Sequence, residues 1–176
     1  MARQRDPGPS LMPFSDSITR LFVGNGAQAM DVKTLKRLNI GAVLNCAPNV
    51  CKDPVKKDHM KFISYATVDA HDDSTFSILS TCLDDATSFV DAAHARGKGV
   101  LVHCMAGSNR SATLGMAYIL SRDKPNLFDL FEEASMVRPS ILQNQSFQLQ
   151  LCQLAKGLNC LTRRESDNVR NKKKVK

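Results

Sequence analysis

Nine consecutive residues near the middle of the chain combine a nucleophile with groups that bind an anion. They read His103-Cys104-Met105-Ala106-Gly107-Ser108-Asn109-Arg110-Ser111. The apolar run at 99–102 predicts a short buried strand before them, and the apolar residues 112–120 predict a buried helix after them. We therefore expect Cys104 to lie where a strand ends and a helix is about to begin.

A loop in that position has a positive electrostatic character. The backbone N–H groups of residues 105–110 can turn inward as a ring of donors, and the positive end of the following helix points into the same hollow. Arg110 adds a planar guanidinium that can hold two phosphate oxygens at once. The same field should keep Cys104 as its thiolate, the nucleophilic form. The loop therefore predicts an active site in which a cysteine attacks a bound phosphate.

Other interpretations of this loop explain less of it. A lone strand-end cysteine is ordinarily a small buried apolar residue, and a cysteine six positions before an arginine occurs by chance. The surrounding His, Gly and Ser and the strand–helix flank favour catalysis. An ATP-binding loop is excluded because no Gly-x-x-x-x-Gly-Lys-Ser/Thr occurs. His103 and Cys104 make a poor metal pair, since neighbours on a strand point to opposite faces. No metal or other cofactor is predicted.

Composition limits the class of protein. A chain of 176 residues with 43% hydrophobic content predicts one soluble domain with a real core. Six cysteines without regular spacing, and no signal-peptide pattern, indicate a reducing intracellular setting, cytoplasmic or nuclear. No apolar run approaches the length of a membrane span, so no membrane insertion is expected.

The net charge of +7 is concentrated at the C-terminal end. Residues 163–176 carry seven Lys/Arg against two acidic residues, whereas residues 21–162 carry 14 basic and 13 acidic residues. A nucleic-acid partner is therefore not expected, since such enzymes spread positive charge over the folded face. The tail is predicted to be a disordered solubilising end, or else a nuclear-import signal or docking strip for an acidic partner, centred on Lys172-Lys173-Lys174.

Helices and strands alternate early in the chain, and helices dominate later. Residues 1–15, rich in proline, are predicted to be disordered, residues 16–160 to form the domain, and residues 161–176 to form the basic, disordered tail. Strands are predicted at 18–24, 41–45, 62–68 and 99–102, with a turn at 24–26 and helical spacing from Ala27 to Leu38. Longer helices are predicted at 78–95, 112–120, 126–136 and 144–157. This order predicts an α/β fold: a central, mostly parallel sheet of about four to five strands flanked by helices.

A thiolate that attacks a phosphate ester also needs an acid, because the departing oxygen must be protonated. The polar loop after residue 68 offers Asp69, His71, Asp72 and Asp73. Chemistry alone does not choose among them, since most loop carboxylates are simply solvated.

The loop, followed by Ala112-Thr113, resembles the signature of dual-specificity protein phosphatases, within the protein tyrosine phosphatase superfamily. The resemblance covers most of residues 18–157. The segments that carry it are 21–24, 40–45, 72 with 76–78, and 138–151. It implies a protein tyrosine phosphatase-like fold of the compact, atypical group, acting on phosphotyrosine and on phosphoserine or phosphothreonine. It further implies phosphorylated proteins as partners, with a kinase as one candidate.

The resemblance also implies roles for individual residues. Asp72 matches the general acid, with Asp73 second and Asp69 third. Ser111 matches the hydroxyl that stabilises the departing thiolate. His103 and Asn144 match supporting positions, and Asn144 is alternatively a helix cap. Cys46 resembles a resolving cysteine near the nucleophile, although a buried structural cysteine is the alternative.

Two departures from the family pattern leave other substrates open. Asn109 stands where many relatives carry Ser, and Gln143 where many carry Pro. The Asn-Arg pair is similar to the loop of RNA 5′-triphosphatases, although their His-Gly and Arg-Thr-Gly are missing here. The loop also lacks the lysines of tensin-type phosphoinositide phosphatases. A phosphate-binding pseudoenzyme is a further alternative, which the presence of both Cys104 and Arg110 opposes.

Overall fold

The strand that leads to Cys104 lies at the centre of the sheet. The computed structural model describes residues 10–11, 20–52 and 62–161. Its strands are β1 (Ser10–Leu11), β2 (Leu21–Asn25), β3 (Ile40–Asn45), β4 (Ser64–Thr67) and β5 (Gly99–Cys104), in the order β1-β2-β5-β3-β4. Strands β2, β5, β3 and β4 are parallel, and β1 pairs antiparallel with β2 at the edge. The predicted α/β class with a mostly parallel sheet is confirmed.

Six helices accompany the sheet in the described part of the chain. They are α1 (Gly26–Ala29), α2 (Val32–Arg37), α3 (Ile78–His94), α4 (Arg110–Asp123), α5 (Leu127–Val137) and α6 (Gln145–Gly157). Helix α4 packs on β5 and β2, and α3 and α6 pack on α4. None of the helices among the described residues is both long and apolar enough to span a membrane.

Alternate residues of β5 supply two apolar layers, as the period of a strand requires. Val100 and Val102 face the larger layer, which contains the buried residues of α3, α4 and α6. Leu101 faces the smaller layer, with Leu35 of α2. Every residue of β5 is buried, which accounts for the continuous apolar run at 99–102. Cys104 is therefore carried by a strand held on both edges and both faces.

The prediction of a turn at 24–26 is wrong. Strand β2 continues to Asn25, and α1 begins directly at Gly26. The reason is a capping box: Asn25 Oδ1 accepts from Gln28 N, and Gln28 Oε1 accepts from Asn25 N, each at 2.9 Å. The helical spacing that follows is divided into two short helices because Asp31 caps α2 through Thr34 N.

The other predicted elements differ from the structure mainly at their ends. Strand β4 is shorter than predicted, and α4 is longer, from Arg110 to Asp123. Within the predicted disordered segment 1–15, Ser10–Leu11 form the edge strand β1, which the sequence did not suggest. The other residues of that segment and the tail 162–176 lie outside the described residues.

Candidate active site

The end of β5 and the start of α4 place the nucleophile and the arginine of the signature loop together. Cys104 is the last residue of β5 and is 1% exposed, and Arg110 is the first residue of α4. Residues 105–109 connect them, so the N-terminus of α4 adjoins this loop. The predicted position of Cys104, between a strand and a helix, is confirmed.

Four carbonyl groups of this loop are hydrogen-bonded to groups outside it. Met105 O accepts from Gly26 N, Gly107 O from Arg138 Nε, Ser108 O from Leu142 N, and Asn109 O from Thr113 N and Oγ1. In contrast, none of the backbone N–H groups of residues 105–110 donates to an acceptor within the described residues. Six donors in one loop thus remain available, which is the arrangement that binds a phosphate.

Gly107 and Arg138 fit together at the outer side of the loop. Gly107 has a φ of +71°, and a Cβ there would lie 2.7 Å from Arg138 Nη2 and from the backbone of Gly24. Arg138 is 6% exposed, and its Nε donates to Gly107 O at 2.9 Å. Sequence reasoning gave this residue no role in the site and placed it only in the segment 138–151 that carries the family resemblance. No sequence signal indicates its burial.

Ser111 lies directly beside the nucleophile. Its Oγ is 3.3 Å from Cys104 Sγ, and both side chains are buried. A hydroxyl at this distance can donate to a thiolate. The geometry therefore permits the role that the family resemblance implies for Ser111.

The guanidinium group of Arg110 reaches the loop that contains the acid candidates. Its Nη1 donates to Ala70 O at 3.3 Å, and its Nε lies 3.9 Å from Asp72 Oδ2. Nε is buried and has no hydrogen-bond acceptor among the residues that the structure describes. This donor is therefore free to serve an oxyanion bound in the loop.

Among the acid candidates, Asp72 is the carboxylate that contacts the loop after Cys104, through Arg110 and Asn109. Asp73 accepts from Thr75 N at 2.8 Å and from Thr75 Oγ1 at 2.7 Å, and the side-chain hydrogen bond from Thr75 is the largest cause that lowers the pKa of Asp73. Asp69 accepts from Asn49 Nδ2 at 2.7 Å and lies 3.6 Å from His71 Nε2. Each of these other carboxylates has its own local partners. The geometry favours Asp72 as the acid.

Asn144 is both a helix cap and a partner of Asp72. Its Oδ1 accepts from Ser146 N and Phe147 N at the start of α6, and its Nδ2 donates to Asp72 Oδ1 at 3.0 Å. The alternative interpretation as a cap is therefore correct. Its backbone N–H links it to residues 105–110, the phosphate loop, by donating to Asn109 Oδ1 at 3.1 Å.

Cys46 directly follows β3, and His103 precedes Cys104 in the neighbouring strand β5. Cys46 N donates to His103 O at 2.7 Å, and His103 Nδ1 is 3.4 Å from Cys104 O. Cys46 is fully buried, and this burial raises the pKa of its thiol well above the usual value; the charge of Cys104 raises it further. The role of Cys46 as a resolving cysteine stays a prediction.

The described residues contain no group of three or more His, Cys, Asp or Glu that could hold a metal ion.

Comparison with known proteins shows which family the sequence matches. The family described as "Dual specificity phosphatase, catalytic domain" matches residues 21–156. The dual specificity protein phosphatase Mpk3 of Drosophila melanogaster is 30% identical over 131 residues, 74% of this chain and 31% of that protein. Human dual specificity protein phosphatase 16 is 32% identical over 80% of this chain and 20% of its own length. The chain thus spans less than half the length of these relatives.

A solved structure shows the same fold. A mouse putative dual specificity phosphatase, complexed with zinc tungstate, has a TM-score of 0.74 and 24% identity, covering 93% of this chain and 98% of that one. The family match spans most of the chain and includes the loop from Cys104 to Arg110. The chain belongs to the dual specificity phosphatase catalytic domain family, within the protein tyrosine phosphatase superfamily.

Proposed function

We propose that this domain is a protein phosphatase that hydrolyses phosphotyrosine and phosphoserine or phosphothreonine through a cysteinyl-phosphate intermediate. The observation that carries the proposal is the loop after Cys104, whose carbonyls are engaged outward while its N–H groups remain available. Family membership supports protein substrates, since the relatives are named as dual specificity protein phosphatases.

The first step transfers the phosphoryl group to sulfur. The thiolate of Cys104 forms an S–P bond, and the bond from phosphorus to the ester oxygen breaks. The loop amides and Arg110 bind the equatorial oxygens and stabilise their charge. Asp72 gives its proton to the departing oxygen, so that the protein product leaves as a neutral hydroxyl group.

The second step releases phosphate. Asp72, now a carboxylate, takes a proton from a water molecule as the water oxygen bonds to phosphorus. The S–P bond breaks, and its electron pair returns to Cys104 as a thiolate. Ser111, at 3.3 Å from this sulfur, donates a hydrogen bond to the departing thiolate.

The proposal extends to partners and location. The substrates include a phosphorylated kinase, and the protein acts in the cytoplasm, in the nucleus or in both. Residues 163–176, with a net charge of +5, serve as a docking strip for an acidic partner or an import receptor. Removal of these residues should change the location or the partner while leaving hydrolysis of a small aryl phosphate unchanged.

Phosphate release from matched phosphotyrosine and phosphothreonine peptides tests the activity. Wild type should act on both peptides, Cys104→Ser should be inactive, and Cys152→Ser on α6 should match wild type. A wild type that is inactive on both, yet labelled at Cys104 by a phosphate-mimicking reagent, would establish a pseudoenzyme. A preference for RNA 5′-triphosphate or a phosphoinositide over both peptides would establish one of the non-protein substrates instead.

A further inference from the structure

The side chain of Asn109 joins three segments that meet at the active site. Its Oδ1 accepts from Gln143 N at 2.7 Å and from Asn144 N at 3.1 Å. Both of these partners are donors, and only the oxygen of an amide can accept from them. The orientation of the Asn109 amide is therefore fixed by the backbone, and its NH₂ group must point away from residues 143–144.

That NH₂ group points at the proposed acid. Asn109 Nδ2 lies 3.3 Å from Asp72 Oδ1 and 3.2 Å from Asp72 Oδ2, so it contacts both carboxyl oxygens. Asn144 reaches the same carboxyl group, and its amide is also fixed, since its oxygen caps α6. Two amides that cannot flip thus hold one carboxyl group from two sides.

The backbone and the side chain of Asn109 serve different parts of the site. Its backbone belongs to the loop, and its carbonyl oxygen is bound by Thr113 N and Oγ1 at the start of α4. Its side chain makes no capping bond to α4 and turns toward Asp72 instead. A residue fixed by its backbone in the phosphate site therefore contacts the acid through its side chain.

A serine, which many relatives carry at this position, cannot make the same link. The Asn109 amide accepts at one end and donates at the other, whereas a serine has a single oxygen one bond beyond its Cβ. Asn109→Ser thus removes the hydrogen bonds from Asn109 to Asp72, while the carbonyl oxygen of residue 109 keeps its bonds to Thr113.

We propose that Asn109 is a positioning residue that orients Asp72 toward the departing oxygen, a role that rests on the proposed phosphatase function. Its contribution then depends on how much the departing group needs a proton. Phenolate needs one, whereas 2,4-dinitrophenolate leaves without help. A residue that only shaped the phosphate loop would affect the two esters equally.

The test compares phenyl phosphate with 2,4-dinitrophenyl phosphate in wild type and Asn109→Ser. We expect kcat/KM for phenyl phosphate to fall about tenfold, the size of one hydrogen bond to a charged group. The value of kcat/KM for 2,4-dinitrophenyl phosphate, which reports only the transfer of phosphate to Cys104, and the inhibition constant for vanadate should stay at wild-type values. Asn126→Ser, which changes the cap of α5, is the matched control and should behave as wild type.

A double variant separates action through Asp72 from other effects. In the Asp72→Asn background, Asn109→Ser should cause no further loss on phenyl phosphate, because residues that act through one group are not additive. Equal losses on the two esters, weaker vanadate inhibition, or a full tenfold loss in the Asp72→Asn background would each overturn the inference. A wild type inactive on both esters would overturn the proposed function itself, which is a distinguishable result.

Discussion

Arg138 Nε donates a hydrogen bond of 2.9 Å to the carbonyl oxygen of Gly107, 31 residues earlier in the chain. The bond holds that carbonyl outward, so the neighbouring N–H groups can face the phosphate site. The side chain of Arg138 fits there because Gly107 has no Cβ, which would lie 2.7 Å from Arg138 Nη2. A buried guanidinium and a glycine in the left-handed region thus determine the shape of the loop.

Substitution of Arg138 should therefore weaken anion binding without removing a group that touches the anion. Arg138→Lys keeps the charge, but an ammonium group cannot reproduce a guanidinium whose Nε donates to Gly107 O while its Nη2 donates to Gln28 Oε1. Leaving this buried carbonyl without its partner costs about 1–3 kcal/mol. We expect a lower melting temperature and a rise of about tenfold in the inhibition constant for vanadate. Arg96→Lys, at an exposed position after α3, is the control, and equal behaviour of the two variants would contradict the prediction.

The sequence predicts the parts of the site that depend on local order along the chain, and not the parts that depend on contacts between distant segments. Cys104 and Arg110 are found because an apolar strand, a short loop and an apolar helix fix their separation. Asp72 needs the family resemblance, since Asp69 and Asp73 have the same chemistry. Arg138 and the side chain of Asn109 are not found at all. Their partners lie 31 to 37 residues away, and only tertiary packing brings them together.

The structure separates the two adjacent carboxylates of the acid loop. The hydrogen bonds from Thr75 lower the pKa of Asp73, which favours its ionised form and makes it a poorer proton donor. Asp72→Asn should slow phenyl phosphate hydrolysis about 100-fold or more, the usual contribution of a general acid. Asp73→Asn should keep wild-type kcat. Steady-state kinetics from pH 5 to 8 would check this, and a larger loss in Asp73→Asn would reverse the assignment.

The raised pKa of Cys46 predicts how a disulfide bond with Cys104 would form. Burial keeps the Cys46 thiol protonated at neutral pH, and only its thiolate can attack a Cys104 sulfenic acid, which releases water. After mild peroxide, we expect a Cys46–Cys104 bridge whose formation accelerates about tenfold per pH unit between pH 7 and 9. Peptide mass spectrometry measures the bridge. Cys46→Ser should abolish it and Cys82→Ser should not, and its absence from wild type would exclude a resolving role.

Ser111 should matter in the second chemical step and not in the first. Its Oγ lies 3.3 Å from Cys104 Sγ, where it can donate to the thiolate that departs from phosphorus. Ser111→Ala removes that hydrogen bond and should lower kcat about 10- to 100-fold, since a bond to a charged group contributes about 1.5–3 kcal/mol. With 2,4-dinitrophenyl phosphate in a stopped-flow experiment, the variant should show a burst of one dinitrophenolate per enzyme, followed by slow turnover. Ser121→Ala, farther along α4, where the hydroxyl donates to Ala117 O, should show wild-type turnover. A slow first turnover in Ser111→Ala, without a burst, would mean that the hydroxyl acts on the attacking thiolate instead.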